Sequence, residues 1–172
     1  MRRTPDDATF GPWRDVKAVL ICTGKVFYSL RRARAQRKLN DGSVAIVTLE
    51  ELGPFPYREL GNVLALLAPG GTVRWVQEEP KNMGAWSYVS ARYRALAEKV
   101  EDVVPAAARA LRRLRNGTAP PLEYVGRMPT AAATGSFYIH MREEQELLSK
   151  AFAGLSAIED DVFTAFPDSF EG

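Results

Sequence analysis

The side chains with the greatest capacity for chemistry lie in residues 77–89, whose sequence is QEEPKNMGAWSYV. The adjacent carboxylates Glu78 and Glu79 could act as a general acid and base or bind a metal ion, but neighbouring residues do not normally converge on one atom. The stretch also enters a predicted helix, and the positive end of a helix dipole favours carboxylates without any catalytic role. Asn82 is a good helix cap, and Gly84 permits a close backbone approach. We therefore favour helix capping and an interface over catalysis.

The same stretch supplies the candidate residues of that interface. It follows the carboxyl end of a predicted strand, and this edge of an open α/β sheet is where functional groups gather. Trp86 and Tyr88 offer large contact areas, which suit a packed surface better than an open pocket. The interface candidates are Gln77, Glu78, Glu79, Pro80, Asn82, Met83 and Trp86.

A second candidate is the turn after the first predicted strand, where Gly24 and Lys25 precede a helix. The free N–H groups and partial positive charge of a helix amino terminus can bind an anion such as phosphate. One glycine is not the three-glycine dinucleotide fingerprint, however, and the sequence contains no P-loop pattern. We interpret the segment as a plain tight turn, with a weak anion site as the alternative.

The single cysteine and single histidine limit the remaining chemistry. Cys22 ends an apolar strand, and His140 is too remote in sequence to be assigned as its base, so a cysteine nucleophile is disfavoured. His140 precedes the last predicted helix, where a hydrogen-bonded cap is a more common role than catalysis. One cysteine excludes an internal disulfide and fits a reducing compartment. One histidine cannot build a Cys/His zinc site within a single chain.

Charge and hydropathy argue against two classes of partner. The chain has 23 Lys and Arg against 21 Asp and Glu, a balance of 23 − 21 = +2 that is too even to indicate a polyanion. The basic clusters at 31–38 and 109–115 are predicted to be solvated faces; nucleic acid is the alternative, but no aromatic-rich basic strand accompanies them. No stretch approaches the roughly 20 apolar residues of a membrane span. Residues 1–15 show neither a secretory signal nor a transit peptide.

The elements that must position these residues follow from alternating apolar runs and helical stripes. Such alternation predicts an α/β fold, a three-layer αβα sandwich with a mostly parallel sheet. The polar Arg74 suggests that the third strand is less fully covered than the first two. The predicted strands are Lys17–Cys22, Val44–Leu49, Thr72–Gln77 and Leu122–Gly126, with a short extra strand possible at Phe137–Ile139. The predicted helices are Lys25–Lys38, Tyr57–Ala68, Met83–Val100, Pro105–Arg115 and Met141–Phe152.

The chain is expected to hold one domain. Residues 1–15 are predicted to be a linker or disordered amino end, 16–155 the folded domain, and 156–172 an acidic, aromatic tail that is either docked or frayed.

Several motifs, in order over roughly Val16–Phe152, resemble the carboxy-terminal domain of 2-oxoglutarate dehydrogenases, the thiamine diphosphate-dependent first component. The most specific is QEEPKNMGAW at 77–86. The others are VLICTGKVFY at 19–28, where the family usually has Ser in place of Thr23, then VAIV at 44–47, EELGPFPY at 50–57, YVGR at 124–127, ATG at 133–135, and His140. DVFTAF at 161–166 is similar to the tail of the mitochondrial, eukaryotic branch. An arginine-rich insertion at 105–121, where relatives tend to be shorter, departs from the pattern.

The resemblance implies a fold like the carboxy-terminal domain of transketolases. It also implies that thiamine diphosphate, its magnesium ion, the catalytic histidines and the substrate pocket belong to earlier domains. We therefore expect no catalytic, cofactor-binding or metal-binding residues in this chain. The implied location is the mitochondrial matrix.

We interpret the chain as a structural and dimerisation domain that is not catalytic by itself. The expected partners are the upstream catalytic domains, a second copy of the enzyme and the succinyltransferase core; nucleic acid and membranes are not expected. The alternative from another class is a free-standing, non-enzymatic module that senses a nucleotide or docks a partner, motivated by Lys25 and the arginine faces. A truncated product without function is a third possibility.

Overall fold

The computed structural model describes residues 15–39, 41–99, 105, 119–131 and 137–155. Its strands are β1 (Val16–Cys22), β2 (Val44–Thr48), β3 (Leu67–Pro80) and β4 (Leu122–Arg127). Its helices are α1 (Val26–Gln36), α2 (Tyr57–Leu64), α3 (Trp86–Glu98) and α4 (Phe137–Phe152). Each of these strands is followed by one of these helices, which is the alternation expected of a parallel sheet.

The four strands form one parallel sheet in the order β2-β1-β3-β4. Every residue of β2 is buried, and so is every residue of β1 except Lys17. Because successive side chains of a strand point to opposite faces, such continuous apolar runs require cover on both sides of the sheet. The chain moves outward from β1 to β2 and then returns to place β3 on the other side of β1. The strand order therefore reverses between β1 and β3, which makes this the topological switch point.

Two separate apolar clusters cover the two faces of the sheet. Helices α2 and α3 pack on one face, where Leu60 and Val89 contact strand residues such as Ile21. Helices α1 and α4 pack on the other, where Leu30 and Leu148 belong to the cluster around Leu20. The predicted three-layer αβα architecture with a parallel sheet is confirmed.

The boundary between α2 and β3 differs from the prediction. The predicted helix Tyr57–Ala68 is too long, because α2 ends at Leu64 and β3 begins at Leu67. Leu67 is still buried against the same cluster as the helix stripe. A buried leucine satisfies either structure, so the apolar pattern could not distinguish them.

The Pro-Gly-Gly segment at residues 69–71, a combination typical of a turn and predicted from the sequence to be one, instead lies within β3. The pairing of β1 with β3 shifts register there, between Val16 and Ala18. A Cβ on Gly71 would lie 3.1 Å from the carbonyl oxygen of Val16, so only glycine allows this close approach. The segment is therefore an irregularity of a long strand, where glycine and proline are tolerated.

β3 is less fully covered than β1 and β2, as the polar Arg74 predicts: Thr72 and Arg74 are only partly buried, although β3 lies between β1 and β4. The Arg74 side chain is only 12% exposed and forms an ion pair with Glu123, Nε to Oε2 at 3.1 Å. Its Nη1 donates to the carbonyl oxygens of Ala151 and Ala153 at 2.9 and 3.0 Å. The guanidinium thus satisfies carbonyls at the carboxyl end of α4.

The possible strand Phe137–Ile139 is instead the first turn of α4, and His140 lies within this helix and does not precede it. The β-propensity of a short aromatic run is a weak preference that a long helix overrides. Apart from Pro105, the predicted helix Pro105–Arg115 lies outside the described residues, as do the 109–115 basic cluster and the tail. The domain boundaries stay predictions.

The first basic cluster is not a fully solvated face. Arg34 and Arg37 are buried, each 7% exposed. Nη1 of Arg34 donates to the carbonyl oxygen of Val44 at 3.0 Å, and the Arg37 guanidinium lies over the Phe152 ring, 5.1 Å from its centroid. Long arginine stems cover apolar surface while the head finds a polar or aromatic partner. These two side chains therefore join α1 to β2 and α4.

Two nearby leucines, the last residue of α2 and one just after it, differ in burial and therefore test the described packing. Leu64 is fully buried, whereas Leu66 is 39% exposed. We expect Leu64→Ala to lower the free energy of unfolding by about 2–5 kcal/mol through lost burial and a residual cavity. Leu66→Ala, the matched control, should cost about 1 kcal/mol or less. Urea denaturation of both variants measures this difference, and equal losses would contradict the described packing.

Candidate functional site

Both predicted site segments lie at the switch point. Cys22 pairs with Val76 in the β1–β3 register, so the turn at residues 23–25 stands beside residues 77–80 at the carboxyl edge. The fold therefore brings the anion candidates and the interface candidates to the edge where open α/β sheets carry their functional groups.

Gln77 lies at the centre of this edge, and its side chain is only 1% exposed. Oε1 accepts hydrogen bonds from the indole Nε1 of Trp75 at 2.7 Å and from the backbone N–H of Trp86 at 3.1 Å. A primary amide offers two N–H groups and two acceptor positions, so every polar group of Gln77 has a partner inside the protein. Its Nε2 donates to the carbonyl oxygens of Glu79, Pro80 and Met83 at 3.2, 3.1 and 3.0 Å.

The amino terminus of α3 differs from the prediction. The helix begins at Trp86 and not at Met83, and the residue at its cap position, Ala85, makes no side-chain cap bond. Asn82 is therefore not the cap. Gln77 supplies from the preceding strand the acceptor that a cap residue normally provides for a free N–H group.

Gly84 lies directly against the Gln77 amide. Its φ is +63°, and a Cβ there would be 3.1 Å from Nε2 and 3.2 Å from Oε1 of Gln77. The predicted close backbone approach is confirmed, because a side chain at this position would be strained by both the dihedral angle and the contact.

Asn82 joins the loop after β3 to the loop after β4. Its Nδ2 donates to the carbonyl oxygen of Thr130 at 3.0 Å, and its Oδ1 accepts from the N–H of Thr130 at 3.1 Å. The N–H of Lys81 donates to the carbonyl oxygen of Arg127 at 3.1 Å. We call residues 78–85 the β3–α3 loop; it comprises the last three residues of β3 and the turns that follow. The three bonds hold it against residues 127–130.

An aromatic pair supports the same junction. The rings of Trp86 and Tyr124 meet edge to face with centroids 5.0 Å apart, and the Lys81 ammonium lies 5.8 and 5.3 Å from their centroids. The Tyr124 hydroxyl lies 3.2 Å from the carbonyl oxygen of Glu79 and 2.9 Å from that of Arg127. Burial raises the pKa of Tyr124, so the hydroxyl keeps the proton that it donates to these carbonyls.

Gly126 is required by the same contact. A Cβ there would lie 2.5 Å from the Tyr124 hydroxyl oxygen and 2.8 Å from the carbonyl oxygen of Gln77. Two strands therefore approach each other at a point where only glycine fits.

In the turn at Gly24 and Lys25, the candidate anion site, the Lys25 ammonium forms an ion pair within the chain. Nζ of Lys25 lies 3.2 Å from Oε1 of Glu78, which spans the switch-point crevice. The space beside Glu78 has a volume of about 10 Å³, which is room for at most one water molecule. It is lined by Glu78, Arg127, Glu143, Glu144 and Leu147. Three carboxylates around so small a space disfavour a bound anion.

The interface candidates differ in exposure. Gln77 and Pro80 are buried, Glu78, Met83 and Trp86 are half-buried, and Glu79 and Asn82 are exposed. Since Glu78 pairs with Lys25 while Glu79 is exposed, the adjacent carboxylates do not form one acid–base pair. Their role in an interface stays a prediction.

Sequence reasoning did not select Tyr124, Gly126 or Thr130 as site residues. Tyr124 and Gly126 lie at the end of a predicted strand and within the YVGR motif, whereas Thr130 lies in the loop beyond it. Selecting them would have required the strand order, because β4 meets this edge only as the neighbour of β3.

An open groove of about 320 Å³ adjoins this junction, between residues 126–130 and α4. Its charged groups are mutually paired. Nε of Arg127 lies 2.9 Å from Oε2 of Glu143, and Nζ of Lys150 lies 3.7 Å from Oε2 of Glu146. The groove therefore does not present a single sign of charge to a ligand.

Cys22 is fully buried, and burial, with a smaller effect of the Glu50 carboxylate, raises its thiol pKa from 9.0 to about 12. The thiol therefore stays protonated near neutral pH, whereas nucleophilic cysteines need the thiolate. Among the residues that the structure describes, no group of three or more His, Cys, Asp or Glu could hold a metal ion. None of the described helices is long and apolar enough to cross a membrane.

The fold and this edge define a class of protein: a doubly wound α/β domain whose switch-point crevice is spanned by an ion pair between its own side chains. The particular family is equally plain. Residues 3–152 match the family model described as 2-oxoglutarate dehydrogenase C-terminal, and the chain belongs to that family.

The curated relatives agree with this assignment. The chain is 40% identical over 140 residues to the mitochondrial 2-oxoglutarate dehydrogenase of Caenorhabditis elegans, which covers 80% of this chain and 12% of that protein. It is 38% identical over 149 residues to a mitochondrial 2-oxoglutarate dehydrogenase-like protein of Pongo abelii, covering 86% and 13%. It is 34% identical over 148 residues to a probable 2-oxoadipate dehydrogenase complex component E1 homolog of Dictyostelium discoideum, covering 86% and 14%. The chain thus spans about one eighth of the length of these relatives.

The reactivity of the buried Cys22 thiol tests the described packing at the carboxyl edge of the sheet. Because its pKa is raised to about 12 in the folded protein, we expect Cys22 to resist a thiol reagent at pH 8 and to react promptly in urea. The folded state binds the Cys22 thiol proton more tightly than the unfolded state, so the protonated thiol stabilises the fold. This stabilisation is fully present below pH 9 and is lost as the pH rises towards 12. Urea denaturation of the unmodified chain and of Cys22→Ala across this range isolates the effect. Rapid labelling of the folded chain would contradict the described burial.

Proposed function

We propose that this chain acts as the carboxy-terminal structural domain of a 2-oxoglutarate dehydrogenase, packing on the catalytic domains and completing the dimer. The observation that carries the proposal is the β3–α3 loop. Polar groups of this loop form hydrogen bonds with Gln77 and with residues 127–130. The loop is therefore suited to be a fixed contact surface and not a catalytic centre. Family membership and the one-eighth coverage of the relatives support the same role.

The parent reaction in this proposal is the oxidative decarboxylation of 2-oxoglutarate, followed by transfer of the succinyl group to a lipoyl group on the succinyltransferase core. The further partners are a second copy of the enzyme and that core, and the location is the mitochondrial matrix, in line with the names of the relatives. Thiamine diphosphate supplies the carbanion chemistry of such enzymes.

The residues of the carboxyl edge do not fit that cofactor. A diphosphate needs free donors and cations, whereas here Lys25 is paired with Glu78 and the adjacent space, lined by further carboxylates, is about 10 Å³. Magnesium would need several oxygen ligands around one point, and Glu78 and Glu79 do not converge. We therefore assign the cofactor and its magnesium ion to the catalytic domains of the parent enzyme.

A chimaera tests the proposal. The segment of the C. elegans enzyme that this chain matches is deleted, or replaced by residues 1–172 of this chain. We expect the deletion to abolish dimer formation and turnover, and the replacement to restore both to within about tenfold of the intact enzyme, the loss that about 1.4 kcal/mol of imperfect interface complementarity would cause.

Two results would contradict this role. One is a chimaera that is folded yet as inactive and monomeric as the deletion. The other is turnover of 2-oxoglutarate by the isolated chain, supplied with thiamine diphosphate, magnesium and an electron acceptor. Sedimentation velocity gives the oligomeric state, and reduction of the acceptor gives the turnover.

A further inference from the structure

We infer that Gln77 is the positioning residue of the contact surface: its side-chain amide holds the β3–α3 loop in the shape in which the loop meets the catalytic domains. The identity of the partner rests on the proposed function, whereas the hold on the loop is a property of this chain alone. No catalytic role is assigned to Gln77, because its polar groups are all turned inward.

The loop has few other means of fixing its own shape. Residues 81–85 form turns, and α3 has no side-chain cap of its own. Gly84 adopts a left-handed conformation with φ +63° next to the Gln77 amide. Within the loop, one backbone hydrogen bond from the N–H of Met83 to the carbonyl oxygen of Pro80, 2.8 Å long, closes a turn. The remaining order must come from outside the loop.

The three bonds to residues 127–130 supply part of that order, and Gln77 contributes further bonds at both ends of the loop. Its Nε2 meets carbonyl oxygens of Pro80 and Met83, and its Oε1 meets the first N–H of α3 at Trp86. Only a primary amide offers donors and acceptors in this arrangement. A carboxylate would place negative charge against carbonyl oxygens, and an apolar side chain would leave buried backbone groups without partners.

The exposed side chains of the loop include those of Glu79, Lys81 and Asn82. Contacts with the rest of the chain fix the positions of Glu79 and Lys81. The carbonyl oxygen of Glu79 accepts a hydrogen bond from Gln77, and the Lys81 ammonium lies over the rings of Trp86 and Tyr124. A surface that is ordered before binding loses less conformational entropy when a partner docks. Gln77 therefore acts on affinity through the loop and not by touching the partner.

Hydrogen–deuterium exchange on the 172-residue chain tests the hold directly. We expect Gln77→Met to raise the exchange rates of the amides of residues 81–86 by about tenfold or more, the factor that loss of ordinary hydrogen bonds produces in a local opening. The variant also leaves the buried indole N–H of Trp75 without its partner, so the exchange of β1 amides should rise too, but clearly less than that of residues 81–86. Unchanged exchange in 81–86, or an equal rise in β1, would overturn the proposal.

A second variant keeps the test decisive if Gln77→Met does not fold. Gly84→Ala leaves Gln77 in place and pushes the loop away from the amide, so it should raise exchange in residues 81–86 in the same local way. Asn62→Ala, an exposed substitution on α2, is the control and should change neither region. If Gly84→Ala also leaves residues 81–86 unchanged, the proposal is wrong.

The same variants in the chimaera separate this inference from the proposed function. We expect Gln77→Met and Gly84→Ala to weaken dimer association about tenfold or more, with Asn62→Ala unaffected, while the cofactor-binding domains keep their affinity for thiamine diphosphate. A local rise in exchange together with an unmodified chimaera that does not assemble leaves the hold on the loop intact and rejects the structural role. Assembly unaffected by a loosened loop rejects the positioning role and leaves the structural role intact.

Discussion

The side-chain amide of Gln77 lies beneath the strand-to-helix loop with every polar group bonded inside the protein. Leaving even one buried backbone group without its partner costs about 1–3 kcal/mol, so the loop is tied to the conformation that satisfies all of them. The close approach at Gly84 follows from this constraint, because the loop must come within contact distance of the Gln77 amide, whereas Gly126 is crowded by the main-chain carbonyl of Gln77 and the Tyr124 hydroxyl. The start of α3 follows as well, since its first N–H is bonded to the same amide.

This arrangement explains how a doubly wound fold can serve as a structural domain. Such folds ordinarily bind ligands in the crevice at the switch point, where free N–H groups and an open space are available. Here the ion pair between Lys25 and Glu78 spans the crevice, and the β3–α3 loop is bonded to residues 127–130. These contacts fix the shape of the edge next to the open groove between residues 126–130 and α4. The chain belongs to the 2-oxoglutarate dehydrogenase C-terminal family and spans about one eighth of its relatives' length, which supports the proposal that this edge meets the rest of the parent enzyme.

Sequence periodicity was sufficient for the architecture because apolar runs and helical stripes reflect burial directly. It could not place the start of β3, since a buried Leu67 fits a helix stripe and a strand equally well. It also misjudged Arg34, whose buried guanidinium bonds a backbone carbonyl that no local pattern reveals. The stretch around Gln77 was recognisable by residue type, but the inward role of its amide depends on the loop folding back so that Pro80, Met83 and Trp86 meet it, which residue type does not reveal.

The central claim is that the β3–α3 loop and residues 127–130 form the surface that meets the catalytic domains. The most direct measurement is a hydrogen-exchange footprint of the chain, free and bound to the C. elegans enzyme from which the matched segment has been deleted. Added protection concentrated in residues 78–86 and 127–130 is the expected result. Binding whose protection falls only on the outer faces of α1 and α2, with this edge unchanged, would contradict it.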